Sequence, residues 1–147
     1  NQGKSYVWNN TENLEPIYEV EEAYQKIKDE LGVDVLRLVY IPEKMELSNL
    51  ILGDGYTRMD FTCDENYIYF IQSQYPVENS GNTATDCEKV KTVYNKALKL
   101  NLLIKKNSIS DNRVEYFTEF TIDKTYYYLI GVISEEEFED ILIKINH

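Results

Sequence analysis

Near its start, the chain shows apolar side chains three or four positions apart, the pattern of a helix with one buried face. These residues are Ile17, Val20, Tyr24, Ile27 and Leu31. Pro16 suits the first helical position, where an N–H has no partner within the helix. Gly32 suits the left-handed position that ends a helix. The pattern therefore predicts a helix over residues 15–31.

Strand patterns follow over the next hundred residues. Val33–Ile41 is almost continuously apolar, and Pro42 ends it. Residues 113–122 alternate between polar and apolar, as in a half-buried strand. Residues 126–133 are apolar on both sides, and Gly131 within them indicates a bulge or a close crossing. A shorter alternation favours another strand with one apolar side, formed by Val90, Thr92 and Tyr94.

Short polar segments separate the strands. Asp54-Gly55 is a hairpin signal between apolar runs, and residues 64–66 and Asp123-Lys124 predict further turns. Residues 76–88 are rich in Pro, Asn, Ser and Gly, so we interpret them as a surface loop within one domain.

The chain ends in a second helix. Ser134 and Glu137 form a capping box, in which the Ser hydroxyl accepts from the third helical N–H and the Glu side chain reaches back. The buried stripe then consists of Phe138, Ile141, Leu142 and Ile145.

These elements predict an α+β fold. Turns too short for crossover helices require mostly antiparallel pairing. We therefore expect a single curved antiparallel β-sheet of about seven or eight strands, with an N-terminal and a C-terminal helix packed against it. The predicted domain covers residues 15–147, and residues 1–14 form a polar N-terminal arm.

The composition says more about the partners of the protein than about its fold. The chain has 147 residues, 43% of them hydrophobic, and a formal net charge of -11. Phosphate is repelled by a surface of this sign, so we expect no nucleic acid and no direct binding to anionic lipid. No apolar run approaches the ~20 residues that a membrane span needs. A basic or neutral partner is favoured.

Cys63 and Cys87 are the two cysteines. In an exported protein they could form a disulfide, which would stabilise the fold by ~3 kcal/mol. Alternatively they are two separate thiols, since Cys63 continues the apolar alternation of Met59 and Phe61.

The sequence predicts no catalytic site, no metal and no cofactor. The only histidine, His147, lies at the end of the chain, where a catalytic geometry is hard to hold. Asp60, Glu115 and Glu119 are candidates for a carboxylate pair, but each lies on the polar side of a strand. Asp54 and the acidic turn at 64–66 are conceivable cation ligands, although turns select Asp and Asn for backbone reasons alone.

Aromatic residues are the unusual feature, with 13 tyrosines in the chain. Tyrosine suits a half-buried sheet, where its ring packs and its hydroxyl stays in water. An exposed aromatic patch for a ligand or partner is the alternative. Its richest candidate cluster comprises Tyr67, Tyr69, Tyr126, Tyr127 and Tyr128.

Two segments carry a family resemblance. Leu38–Leu47 reads as a strand that enters a Tyr-Ile-Pro-Glu corner, and Tyr128–Phe138 reads as a strand with an internal Gly that runs into a capped helix. With the first helix, this order resembles the bacterial family called domain of unknown function 4367. The resemblance implies an extracytoplasmic domain of a Gram-positive lipoprotein or single-span membrane protein, and it implies no catalytic residues.

We therefore expect a non-enzymatic binding or sensing domain, extracellular and tethered to the membrane by an N-terminal segment that precedes this chain. Its partner would be an unknown protein, peptide or small ligand. One alternative is a carrier that holds a hydrophobic ligand in a pocket between sheet and helices. Another is a small hydrolase that uses two carboxylates.

Overall fold

The computed structural model describes residues 19–77 and 87–147. The predicted arm over residues 1–14 and most of the predicted loop lie outside them. The described chain has the predicted α+β class, with two helices and nine strands. In chain order the elements are α1 (Val20–Leu31), β1 (Arg37–Leu38), β2 (Glu46–Gly53), β3 (Tyr56–Cys63), β4 (Asn66–Ser73), β5 (Glu88–Asn95), β6 (Leu100–Ser110), β7 (Arg113–Ile122), β8 (Thr125–Val132), α2 (Glu135–Ile143) and β9 (Ile145–Asn146).

Helix α1 begins at Val20, five residues after the predicted start, because the backbone of Glu19 is extended and caps the helix. The Glu19 N–H donates to the Glu22 carboxylate at 3.2 Å. Val20 is 36% exposed, so its predicted place in the buried stripe is wrong, and Ala23 is buried instead. Gly32 ends the helix with a left-handed φ of 71°, as predicted. Ile17 and Pro16 lie outside the described residues.

Seven strands form one antiparallel sheet in the order β2-β3-β4-β8-β7-β6-β5. The predicted turns between β2 and β3, β3 and β4, and β7 and β8 are confirmed. Asp54, Asp64 and Asp123 have φ values of 54°, 56° and 55° in these turns, and Gly55 has a φ of 77°. Asp and Gly tolerate this left-handed backbone better than most residues, which is why the sequence signal was reliable.

The apolar run Val33–Ile41 is not a strand of this sheet, which corrects the prediction. Only Arg37–Leu38 pairs, and its partner is Ile145–Asn146 in a separate two-stranded sheet. The Gln72 side chain takes the place of a neighbouring strand: its amide donates to the Leu36 carbonyl and its oxygen accepts from the Leu36 N–H, both at 3.0 Å. Val35, Leu36 and Leu38 of the run pack into the core, whereas Val33 and Val39 are exposed.

Both helices pack on the same face of the seven-stranded sheet and share one core. Alternate side chains of each strand point toward the helices, which is the geometry of a sheet with one buried face. The core contains Tyr24, Ile27 and Leu31 from α1, Phe138, Ile141 and Leu142 from α2, and Met59, Phe61, Phe70, Leu102, Ile104 and Leu129 from the sheet.

Edge strand β5 departs from its predicted alternation. A register shift between Lys89 and Lys91 turns Val93 and Asn95 inward, and Tyr94 is 52% exposed. Asn95 is fully buried and ties α2 to the sheet edge. Its amide nitrogen donates to the carbonyls of Leu142 and Ile145 at 2.7 and 2.9 Å, and its oxygen accepts from the Leu98 N–H. The carbonyls at the end of α2 therefore have a partner in the sheet.

Candidate functional site

One face of the seven-stranded sheet carries neither helix, and we call it the open face. Tyr67, Tyr69, Tyr126 and Tyr128 project onto it, because residues two apart on a strand share a side. Tyr127 points the opposite way, into the core. It is 4% exposed, and its ring stacks on Phe120 with the ring centroids 5.1 Å apart. The structure thus brings four members of the predicted aromatic cluster to one surface and separates the fifth.

The strand register places Tyr67 and Tyr69 on β4 toward one end of the open face, and Tyr128 and Tyr126 on β8 toward the other end. Tyr67 lies beside Val132, whereas Tyr126 lies beside Ser73 at the far end of the same strand pair. Tyr69 is paired with Ile130 and Tyr128 with Ile71, so these two inner tyrosines are diagonal neighbours on β4 and β8. Each tyrosine pair therefore has its own polar neighbours.

At the first end, a series of contacts runs from β3 to β7, and we call it the ladder: Asp60, Arg58, Tyr69, Tyr67 and Glu115. The guanidinium of Arg58 donates to both Asp60 carboxylate oxygens, at 2.6 and 2.8 Å, and lies 4.4 Å from the ring centroid of Tyr69. The rings of Tyr69 and Tyr67 stack with centroids 4.5 Å apart. The Tyr67 hydroxyl donates to the Glu115 carboxylate at 2.7 Å. The Asp60 and Arg58 charges and the Tyr67 hydroxyl thus have partners within the ladder, whereas Tyr69 takes part through its ring.

At the second end lies a pocket of about 340 Å³, lined by Glu119, Phe120, Thr121, Tyr126 and Tyr128. We call it the tyrosine pocket. Glu119 is paired with Tyr128 across the two strands, and Thr121 with Tyr126. The Tyr128 hydroxyl accepts from the Val77 N–H at 3.0 Å, which fixes that ring. No described residue hydrogen-bonds or ion-pairs with the side chains of Glu119, Thr121 or Tyr126.

The sequence contains a signal that places Glu119 and Thr121, the two polar residues of the tyrosine pocket, beside its tyrosines. The Asp123-Lys124 turn pairs Ile122 with Thr125, and this register places Thr121 beside Tyr126 and Glu119 beside Tyr128. The sequence also indicates that Arg58 and Asp60 lie side by side, since residues two apart on a strand share a side. What the sequence did not contain was the order of strands, which decides that β7 and β8 are neighbours of β4.

The three candidate carboxylates all lie on the open face, but they do not converge. Asp60 on β3 is separated from Glu115 and Glu119 on β7 by three strand spacings, about 14 Å. Glu115 and Glu119 are four residues apart on one strand, about 13 Å. A glycosidase pair needs about 5 to 9.5 Å. The Asp60 side chain is 3% exposed and already bonded to Arg58.

Among residues 19–77 and 87–147, no three His, Cys, Asp or Glu side chains come close enough together to hold a metal ion. Asp54 and Asp64 occupy left-handed turn positions. Cys63 and Cys87 are free, half-buried thiols in the structure. Cys63 borders a small pocket of about 280 Å³ beside Pro42 and Glu137.

Alkaline pH should destabilise the fold through its buried tyrosines. Burial raises the pKa of Tyr24 to about 12, although its hydroxyl accepts from the Leu38 N–H. Burial, followed by the bond to Glu115, also raises the pKa of Tyr67. A folded pKa above the unfolded value of about 10 means that the folded state holds the proton more tightly. This contribution is complete below about pH 10 and is lost as pH rises from about 10 through about 12.

The measurement is the free energy of unfolding in urea at a series of pH values, with tyrosinate absorbance recorded in parallel. For Tyr24 alone we expect a total loss of about 3 kcal/mol, of which about 2 kcal/mol falls between pH 10 and pH 12. Tyr24→Phe should be less stable at neutral pH, because the Leu38 N–H loses its acceptor, but should show a shallower alkaline decline. An equal decline in both proteins would contradict the assignment.

No family model matches the chain, and neither the curated proteins nor the solved structures provide a match. Among the described residues, neither α1 nor α2 has the length and apolar composition needed to cross a membrane.

Proposed function

We propose that this protein is a non-enzymatic binding domain that receives its partner on the open face of the sheet. One observation carries the proposal: the tyrosine pocket combines two aromatic side chains with a carboxylate and a hydroxyl that have no described partner. At the other end of the same face, comparable groups are satisfied within the ladder. Polar side chains that converge on a concave site without internal partners are typical of a ligand site.

Binding explains the open face better than hydrolysis does. The carboxylates lie too far apart to act as a pair, and two of the three are held by Arg58 and Tyr67. Enzymatic hydrolysis of chromogenic glycosides or esters by the purified protein, lost on substitution of Asp60, Glu115 or Glu119, would overturn this part of the proposal.

Peptide selection from a random display library tests binding at the open face. We expect selected peptides to shift the NMR signals of β7 and β8, and Tyr126→Ala to weaken their binding at least tenfold. Tyr94→Ala removes an exposed tyrosine at the far edge of the same face, on β5, and should change binding less than twofold. Peptides that shift only signals of α1 and α2 would contradict the proposal.

The proposed address is extracytoplasmic, at the surface of a Gram-positive bacterium, with a membrane anchor in the N-terminal part of the full gene product. The support is the resemblance of Leu38–Leu47 and Tyr128–Phe138 to the family called domain of unknown function 4367. Fractionation of cells that express the gene from its own start tests this. Recovery in the membrane fraction, with the domain accessible to external protease, is expected; recovery in the cytosol would contradict it.

A carrier function is the second candidate, because a cleft of about 720 Å³ lies between the end of α1 and the β7–β8 turn. Val33, Ile122 and Tyr127 give it an apolar part, but Lys28 and Lys124 also line it. A hydrophobic ligand needs a mostly apolar cavity, which makes this cleft the weaker candidate. Saturable binding of a fluorescent fatty acid, abolished by Ile122→Glu, would favour the carrier over the open-face domain.

A further inference from the structure

We propose that the tyrosine pocket binds a basic side chain, lysine or arginine, of a protein or peptide partner. This inference rests on the proposed function and specifies its ligand. The pocket combines the two kinds of group that attract a cation: a carboxylate and aromatic rings, whose faces are electron-rich, with Tyr126 half-buried and Tyr128 9% exposed.

The pairing register of β7 and β8 brings the aromatic rings and the carboxylate together. Tyr126 and Tyr128 project from β8 on one side, and Thr121 and Glu119 project beside them from β7. The four side chains therefore form a two-by-two arrangement across one strand pair. Its volume of about 340 Å³ is at the small end of ligand pockets, which suits a single inserted side chain. The Thr121 hydroxyl and the Glu119 carboxylate can each accept a hydrogen bond from an ammonium or guanidinium group.

Elsewhere on the open face, the chain fills equivalent positions with its own cations. The Arg58 guanidinium lies 4.4 Å from the Tyr69 ring centroid, and the Lys105 ammonium lies 5.8 Å from that of Phe117. No cation of the described residues lies over the rings of Tyr126 or Tyr128. Lys105 on β6 is paired with Phe117 on β7, two residues before Glu119, yet it forms no ion pair with Glu119. Within residues 19–77 and 87–147, the tyrosine pocket is thus an aromatic and acidic position of this face that an external cation can complete.

The net charge supports the same class of partner. A chain of formal charge -11 attracts cations over long distances and repels anions, which accelerates encounter with a basic segment. Electrostatic attraction between exposed groups is screened by salt. Binding should therefore weaken as the salt concentration rises.

Glu115→Gln provides a matched control for Glu119→Gln. Both substitutions remove one negative charge from β7 on the open face, and they differ in position: Glu115 belongs to the ladder and Glu119 to the tyrosine pocket. The glutamine oxygen can still accept from Tyr67 in the control. Any difference in binding between the two variants therefore reports the pocket and not the net charge.

The probe is an acetylated and amidated peptide that alternates serine and lysine, titrated into the whole chain at low salt by NMR. A second peptide carries norleucine in place of each lysine. We expect the lysine peptide to shift the signals of Thr121, Tyr126 and Tyr128. Glu119→Gln and Tyr126→Ala should each raise its Kd about tenfold, and Glu115→Gln and Tyr126→Phe should raise it less than twofold.

Each other outcome overturns the inference in a distinct way. Equal weakening by Glu115→Gln and Glu119→Gln would show that bulk charge, not the pocket, binds the peptide. Equal binding of the norleucine peptide at the pocket would show an apolar site, which removes the cation inference and leaves the proposed function standing. If the lysine peptide produces no shifts on the open face while library peptides do, the cation inference fails alone; if neither peptide class shifts the open face, both fail.

Discussion

Replacing Phe138 with alanine should lower the free energy of unfolding by about 4 kcal/mol, the largest effect that we expect from a single substitution. Phe138 is fully buried, and its ring lies 5.8 Å from that of Tyr116. It also fills the space above Gly131, where an added Cβ would be 3.3 Å from the Phe138 ring. Alanine would leave a cavity at the point where α2 meets the centre of the sheet.

Chemical denaturation of the purified variants measures this effect. Ile143→Ala lies on the same helix but removes a side chain that is 44% exposed, so it should cost less than about 1 kcal/mol. Phe138→Leu keeps part of the volume and should fall between the two. A loss below about 1 kcal/mol in Phe138→Ala would mean that α2 does not pack on Gly131 as described.

Replacing Arg58 with alanine should cost about 3 kcal/mol, the second largest effect, because it leaves the Asp60 carboxylate buried without its cation. The remaining contact in the described chain is the Asn49 amide, at 3.4 Å. The Tyr69 ring also loses the guanidinium that lies over it. We expect this penalty to come from the stranded charge and not from the loss of an attractive pair.

A double substitution separates these two causes. Arg58→Met with Asp60→Leu removes both charges and should recover most of the stability lost in Arg58→Ala. Lys28→Ala breaks the exposed ion pair with Asp34 and should cost less than about 1 kcal/mol. If the double variant were as unstable as Arg58→Ala, the stranded charge would not be the cause. Denaturant midpoints of the variants decide between these results.

The ladder and the tyrosine pocket have different expected roles on the open face: the first stabilises the fold and the second binds a partner. The charged groups of the ladder and the Tyr67 hydroxyl bond to other side chains of the ladder. Substitutions of these residues should therefore act mainly on stability. The polar groups of the tyrosine pocket have no partner in the described part of the chain, so substitutions there should act mainly on binding. This division makes Arg58→Ala and Glu119→Gln complementary: we expect the first to change unfolding and the second to change the Kd of a basic peptide.

Local sequence signals predicted the parts of the fold that depend on a few consecutive residues. The stop at Gly32, the Asp54-Gly55 hairpin and the Ser134–Glu137 capping box are confirmed. So is the close crossing at Gly131, where Phe138 approaches the strand. Each depends on backbone conformation or on hydrogen bonds within one turn, and these are encoded by the residues themselves.

Signals that depend on distant partners were less informative. The apolar run Val33–Ile41 reads as a strand, but the side chain of Gln72, 36 residues beyond Leu36, occupies the position of a strand neighbour. The alternation around Tyr94 reads as an inward face, but a register shift beside Lys89 reverses it. Hydrophobic pattern shows that a segment is buried, and it does not show what covers the segment.

The sequence by itself determined the α+β class, the turns, the end of α1 at Gly32, the start of α2 at Ser134 and the pairing of Glu119 with Tyr128 across a two-residue turn. Only the tertiary structure decided that both helices cover one face and that Tyr127 points into the core, away from the other four tyrosines. It also decided that Arg58, Asp60 and Tyr67 bond within the ladder, whereas Glu119 and Thr121 have no partner among the described residues. The physical reason is the distance along the chain over which each kind of interaction acts. Turn and capping preferences act within a few residues, whereas the order of strands depends on contacts between segments far apart in the chain.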